Sequence, residues 1–329
     1  MIQSTPGQAF ALGTFRFAVG AAPPFSGVVV DDHAIPLTGL AAFPGVAGRS
    51  VFELLDAWDV VFPQLQHVAA SDVRRLPLDT LLPLAPWVPR QIICTGANYR
   101  KHVIELMVDQ KIDSGESDAS DEDRRIRVAK MMDDRIANGE PYAFAKLPSA
   151  VTGPRDPIVL GESRDIDWEL ELGVVIGRRA RKVTRADALD YVAGYTIIND
   201  ITSRGLVMRK DMKSIGTDWL RAKSQPTFAP LGPFIVPRQF VADPSNLRIT
   251  LKLNGKVMQN ESTADMIFDV SRQIEYISRY VQLGPGDVIA TGSPAGNGTH
   301  WNRFLQPGDE IEASIEGLGE QRNRCVAAD

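Results

Sequence analysis

The chain has 329 residues, 44% hydrophobic and 23% charged, with a formal net charge of -5. That is ordinary for a globular protein and long enough for one large domain with a small one. The acidic balance argues against a polyanionic partner such as nucleic acid. No apolar run approaches the ~18 residues of a membrane span. The first twenty residues lack a basic start followed by an apolar stretch, so no secretory signal is expected and a cytoplasmic location is. Cys94 and Cys325 lie far apart in the sequence without zinc spacing, and both read as free thiols of a reducing compartment.

Residues 1 to 90 read as a small α+β domain. Strands are expected at Phe15–Val19 and Phe25–Val30, and a helix opens after Ser50, with Glu53 three residues on as its capping partner. The proline-rich run 82–89 reads as a linker. His33 and His67 have no partners in sequence and read as surface or packing residues.

A strand over 91–96 ends at Gly96 and a helix begins in 97–106. On that helix His102 and Glu105 stand three residues apart and are neighbours. A carboxylate beside an imidazole fixes its tautomer and raises its basicity, as a general base requires. A surface pair is the alternative. Residues 108–140 differ from their surroundings. An acidic stretch from Asp113 to Asp123 leads into a helix over about 121–137, with Ile126, Ala129, Met132 and Ile136 at helical spacing. This segment reads as a lid over a site or as a peripheral or oligomer contact.

Tyr142–Lys146 is a short strand ending in a lysine. Asp165–Gly177 follows, and its alternation predicts a strand carrying Asp167, Glu169 and Glu171 on one face. Ile166, Trp168, Leu170 and Leu172 would then face the core. Three adjacent carboxylates repel one another unless protons, bases or a cation sit among them. A helix capped at Thr184–Asp187 and stopped by Gly194 comes next, then a strand 195–200 ending in Asp200. Further on lie Arg204 and Lys223. Leu247–Leu253 with Asn254-Gly255 is a hairpin signal. A helix is expected over 269–282 and a strand over 286–292. The glycine-rich loop 292–298 fits no phosphate-binding pattern. It reads either as a loop presenting backbone donors and Thr291 to a small ligand or as a plain turn.

These motifs fall in one order: Asn98-Tyr99 with His102 and Glu105; Asp167-Trp168-Glu169-Leu170-Glu171-Leu172-Gly173; Asn199-Asp200 with Arg204; Ala222-Lys223-Ser224; Pro285-Gly286-Asp287-Val288-Ile289 with Thr291-Gly292-Ser293-Pro294. The set resembles the fumarylacetoacetate hydrolase family over about residues 90 to 329. The resemblance implies a mixed α/β, β-rich chain whose catalytic domain is a rolled mixed β-sheet over 91–329, with the small N-terminal domain at 1–90. It implies a homodimer, and a divalent metal held by Glu169, Glu171 and Asp200. Magnesium is the expected ion, with Mn²⁺ or Ca²⁺ as alternatives, since hard oxygen ligands suit these ions.

The leading expectation is hydrolysis of a carbon–carbon bond in a 1,3-dicarbonyl acid such as an acylpyruvate, by way of an enolate. His102 with Glu105 would activate water, and Lys223 would stabilise the oxyanion or hold the carboxylates in place. Arg204 and Thr291 would orient the substrate, with Lys146 a weaker contact. Other members decarboxylate, isomerise, tautomerise or hydrate 2-oxo acids, so the same scaffold leaves those reactions open. A silent, metal-stabilised binding protein is a further alternative.

Overall fold

The computed structural model describes residues 8–109 and 120–328. Among them, strands form three larger sheets and two two-stranded ones, and no helix is long and apolar enough to cross a membrane. The fold is mixed α/β and rich in strands, as expected.

The N-terminal sheet runs in the order Leu76–Pro77, His33–Pro36, Phe25–Val30, Ala11–Phe17, Leu81–Leu84. Its last strand lies inside the proline-rich run expected to be a linker. Pro83 pairs with Phe15 on this edge strand, where a missing ladder donor costs least. Ser50 and Glu53 form the reciprocal cap that the sequence predicts.

The sheet that carries the site runs Val236–Pro237, Val192–Asn199, Leu170–Ile176, Val288–Ala290, Ile92–Gly96, Tyr142–Lys146. Its neighbours are antiparallel except for the parallel pair of Val288–Ala290 with Ile92–Gly96. A further sheet of five strands runs Lys256–Ser262, Arg248–Leu253, Glu310–Ile315, Gly319–Ala327, Ile158–Leu160. Its first hairpin turns at Asn254 and Gly255, both with positive φ, as a two-residue turn requires.

One expectation about strands changes. The acidic strand is not continuous: Ile166–Asp167 pairs with Thr202–Ser203, and Leu170–Ile176 begins a separate ladder. Nor does it have a solvent face. Every residue from Ile166 to Ile176 is buried, carboxylates included. Alternation of charge normally marks a half-exposed strand, and here it marks a strand with apolar packing on one side and a polar cluster on the other. Leu172, Val174 and Ile176 each contribute about 1.5–3 kcal/mol by leaving water.

The helix expected before Gly194 is only a short turn, Ala188–Tyr191, and Gly194 sits inside the strand Val192–Asn199. Its role is close approach. A Cβ at Gly194 would lie 2.3 Å from the Val236 carbonyl oxygen of the neighbouring strand.

Three helices matter to the site. Arg100–Asp109 starts three residues after the predicted opening, because Ala97 takes a positive φ. Asp121–Asn138 is capped by Ser120 as predicted, but a different stripe is buried. Val128 and Met132 pack with Val103, Ile104, Val108, Ile267 and Phe268, whereas Ile126 and Ile136 are exposed. The helix therefore docks on Arg100–Asp109. Most of the acidic stretch before it lies outside the described residues. The third helix is Val270–Tyr280, capped by Asp269.

Gly194→Ala drives a methyl group into fixed backbone. The expected result is a loss of roughly 1–3 kcal/mol in urea denaturation. An unchanged midpoint would show that the two strands can separate without cost.

Candidate metal centre

The register of one antiparallel pair builds the site. Leu170 faces Asn199 and Glu171 faces Ile198, so the next pair outward sets Glu169 against Asp200. The Asp200 amide donates to the Glu169 carbonyl oxygen at 2.8 Å. The Glu169 amide donates to the Asn199 side-chain oxygen at 2.9 Å, which holds the chain open where the two strand pieces part. Glu171 lies two residues further on, on the same face. One carboxylate oxygen from each of Glu169, Glu171 and Asp200 falls within 4.8 Å of the others, all three residues buried.

Two lysines reach this cluster from different elements. Lys223, at the end of the short helix Trp219–Lys223, donates to Glu169 at 2.6 Å and to Asp200. Its ammonium also lies 5.1 Å from the Phe144 ring, which stacks on Trp219. Lys146 ends the edge strand Tyr142–Lys146 and is fully buried. Its three protons go to the carbonyl oxygens of Ile201, Phe228 and Lys223. It also forms an ion pair with Asp200 Oδ1, 2.9 Å away.

Arg204 and Asp167 form the next layer. Arg204 donates to Asp167 at 2.8 Å and to Glu169. Asp167 also accepts from the Gly298 amide, from the Thr299 amide at 3.3 Å and from the Thr299 hydroxyl at 3.0 Å. Asp167 is thus a bracket between Arg204 and the turn at 298–301, and it stands outside the three-carboxylate cluster. Its place in the acidic row was visible in the sequence; its partners were not, because they lie about 37 and 130 residues away.

Charge now distributes unequally. Burial works against a charged Glu169, but Arg204 and Lys223 outweigh it and hold its carboxyl at about 2. Burial likewise opposes the charge on Lys223, and Asp200 and Glu169 overcome it and raise its pKa. Glu171 is pushed well above the carboxylate range by burial and by the Asp200 and Glu169 charges. Its partner is a backbone amide, Gly292, at 2.7 Å. The three bases are matched to Asp167, Glu169 and Asp200, and Glu171 has no base of its own among the described residues.

Three buried carboxylates that bring one oxygen each to a single patch, with burial and the neighbouring charges opposing the charge on Glu171, fit a hard divalent cation. Carboxylate oxygens without thiolate or imidazole in the cluster suit Mg²⁺ or Mn²⁺ better than zinc.

The other predicted site residues divide. His102 is partly buried, and it lies near enough to feel Glu169, Arg204, His300 and Lys223. Burial lowers its pKa to about 4, so at neutral pH it is a free base. Glu105 does not partner it. The Glu105 carboxylate stands 3.3 Å from Nδ1 of His300, the histidine that has no acidic neighbour in sequence. Three-residue spacing makes two helical side chains neighbours but does not oblige them to meet. Here the turn at 298–301 supplies a partner for Glu105 from across the fold. Arg204 is tied to two carboxylates, one of them a predicted metal ligand. Thr291 is fully buried, and its hydroxyl donates to the Leu172 carbonyl oxygen at 3.0 Å. Lys146 and Lys223 hold the carboxylates, the structural alternative weighed for Lys223.

Two side chains fasten the glycine-rich loop: Asn98, already part of the ordered motifs, and Gln259, which carried no signal in the sequence. Gln259 accepts from the Leu170 amide and donates to the Ser293 hydroxyl and the Pro294 carbonyl, fastening the glycine-rich loop to the start of the strand. Asn98 bridges Phe268 and the Thr291 carbonyl in the same way. The loop ends in a short helix, Gly298–Trp301, capped by Asn297.

Residues 91–326 match the family described as fumarylacetoacetate (FAA) hydrolase C-terminal. The chain is 35% identical to the mitochondrial oxaloacetate tautomerase FAHD2A of Bos taurus over 87% of this chain and 83% of that protein. It superposes on a fumarylacetoacetate hydrolase from psychrophilic Exiguobacterium antarcticum with a TM-score of 0.74 at 31% identity, covering 97% of this chain and 100% of that one. It also superposes on maleylpyruvate hydrolase from Sphingobium sp. SYK-6 in complex with manganese(II) and pyruvate. There the TM-score is 0.72 at 27% identity, covering 97% of this chain and 100% of that one.

Glu171→Gln tests the divided charge. An amide resembles the protonated carboxyl, so without metal the variant should melt within a degree or two of the wild type. Added Mn²⁺ or Mg²⁺ should raise the wild-type melting temperature, by the equivalent of about 2.7 kcal/mol at a hundredfold excess over Kd, and leave the variant nearly unmoved. Equal metal-induced shifts in both proteins would remove Glu171 from the ligand set.

Proposed function

The chain belongs to the fumarylacetoacetate hydrolase family, and from that premise we propose that it moves a proton between carbon and oxygen of a 2-oxo acid, as an oxaloacetate-type keto–enol tautomerase. The observation that carries this reading is the separation of His102 from Glu105. A base that activates water for attack on a carbonyl gains from a carboxylate orienting its far nitrogen. His102 lacks that carboxylate, yet it stands beside the cluster as a neutral imidazole. It can take a proton from carbon next to a keto group and pass it to the keto oxygen, which is the transfer that tautomerisation asks for. The names of the similar tautomerases favour the same reaction.

A divalent cation held by Glu169, Glu171 and Asp200 would polarise the keto group and lower the cost of the enolate. The protein's own groups do the rest. Lys223 and Lys146 hold the carboxylates in place. Arg204 holds Glu169 ionised and fixes its rotamer through Asp167. His102 accepts the proton from the carbon beside the keto group and delivers it to the keto oxygen, or runs the same transfer in reverse.

Carbon–carbon hydrolysis of an acylpyruvate remains the second reading. It is favoured by the likeness to maleylpyruvate hydrolase crystallised with manganese and pyruvate, since both reactions share the enolate. The two separate in one assay. With Mn²⁺ or Mg²⁺ present, the protein should speed the loss of enol-oxaloacetate absorbance above the metal-and-buffer rate, and His102→Ala should lower that rate on the order of 100-fold. Release of pyruvate and free acid from acylpyruvates, followed by mass, should be slower. Faster acylpyruvate cleavage than enol conversion would overturn the tautomerase reading in favour of the hydrolase.

A further inference from the structure

The helix Arg100–Asp109 carries His102 and is held on three sides. Its apolar side, Val103, Ile104 and Val108, packs on Ile267, Phe268, Val128 and Met132. Its first turn is tied by the Lys101 amide, which donates to Asp265 at 2.8 Å, and by the Lys101 ammonium on Glu261. On the third side Glu105 stands 3.3 Å from His300 Nδ1, with its side chain 17% exposed.

His300 belongs to an anchored turn. Asn297 caps its amide at 3.3 Å, and Asp167 accepts from Gly298 and Thr299 beside it. Trp301 donates its indole N–H to the Met258 carbonyl at 3.1 Å and lies edge-on to the imidazole, rings 5.0 Å apart. Asp167, through Arg204, is in turn bound to Glu169. The turn at 298–301 is therefore fixed to the carboxylate cluster on one side and touches the His102 helix on the other.

We propose that His300 is a positioning residue: by holding Glu105 it latches the helix Arg100–Asp109, and His102 with it, to the frame of the carboxylate cluster. Burial raises the Glu105 pKa, against which His300 and Lys101 pull down, with Arg125 on the same side and Glu261 opposing. The latch joins two elements almost 200 residues apart. It supports His102 without touching the reacting atoms.

His300→Ala should speed amide hydrogen exchange across residues 100–108 and reduce turnover, each roughly two- to fivefold, the scale of one partly exposed polar contact. Mn²⁺ affinity should stay unchanged. His300→Asn keeps an amide donor at the place of Nδ1 and should restore most of both. Unchanged exchange and turnover in His300→Ala would overturn the proposal. So would a His300→Asn protein with an ordered helix but the activity of His300→Ala, since the imidazole would then be acting chemically. The turnover readout rests on the enolising reaction proposed above. Should the wild type fail to convert oxaloacetate, that reading falls, and hydrogen exchange still decides the latch.

Discussion

The structure depends on the matching of buried bases to buried carboxylates around Asp200. Lys146 and Lys223 are both buried and both lie against Asp200, while Lys223 and Arg204 share Glu169. Breaking a buried pair by removing one partner strands the other, at a cost of about 3–5 kcal/mol. No single element could supply this arrangement. Asp200 follows the end of one strand, Glu169 lies in a break between two strand pieces, Lys146 ends an edge strand, and Lys223 ends a short helix. The sheet has to close around them before any charge is satisfied. What remains after the matching is one carboxyl, Glu171, without a base. That asymmetry gives the cluster its capacity for a cation.

Around the cluster, each layer fixes the one inside it. Arg204 fixes Glu169, Asp167 fixes Arg204, and the turn at 298–301 fixes Asp167. Gln259 and Asn98 hold the glycine-rich loop against the same strand from two sides. Side chains held in this way lose little freedom when a ligand arrives, which is what a preorganised site requires. The helix with His102 is the least enclosed of these parts, and it is held from both of its flanks.

Much of this was legible in local sequence. Ser50 with Glu53 gave the first helix, Asn254-Gly255 gave the hairpin, and the ordered motifs brought Glu169, Glu171, Asp200 and Lys223 together before any coordinates. Local patterns failed where a distant partner decided the outcome. The alternation at 166–172 put on one face three carboxylates that needed bases or a cation among them, but did not show which bases: Arg204, Lys146 and Lys223 come from elsewhere in the chain. Gly194 looked like a helix stop and is a contact between strands. Glu105 looked like the partner of His102 because spacing on a helix is visible in sequence, whereas His300, 195 residues further on, is not. Asp167 was read as one more repelling carboxylate, and its four contacts, all from distant residues, make it a bracket instead.

The central claim is that Glu169, Glu171 and Asp200 hold one divalent cation. Paramagnetic resonance of Mn²⁺ titrated into metal-stripped protein reads it most directly, because bound ion loses the sharp signal of the free one. The account predicts a single saturable site per chain in the wild type and its loss in Asp200→Asn. Retention of the full bound fraction in Asp200→Asn, or no bound fraction in the wild type, would contradict it.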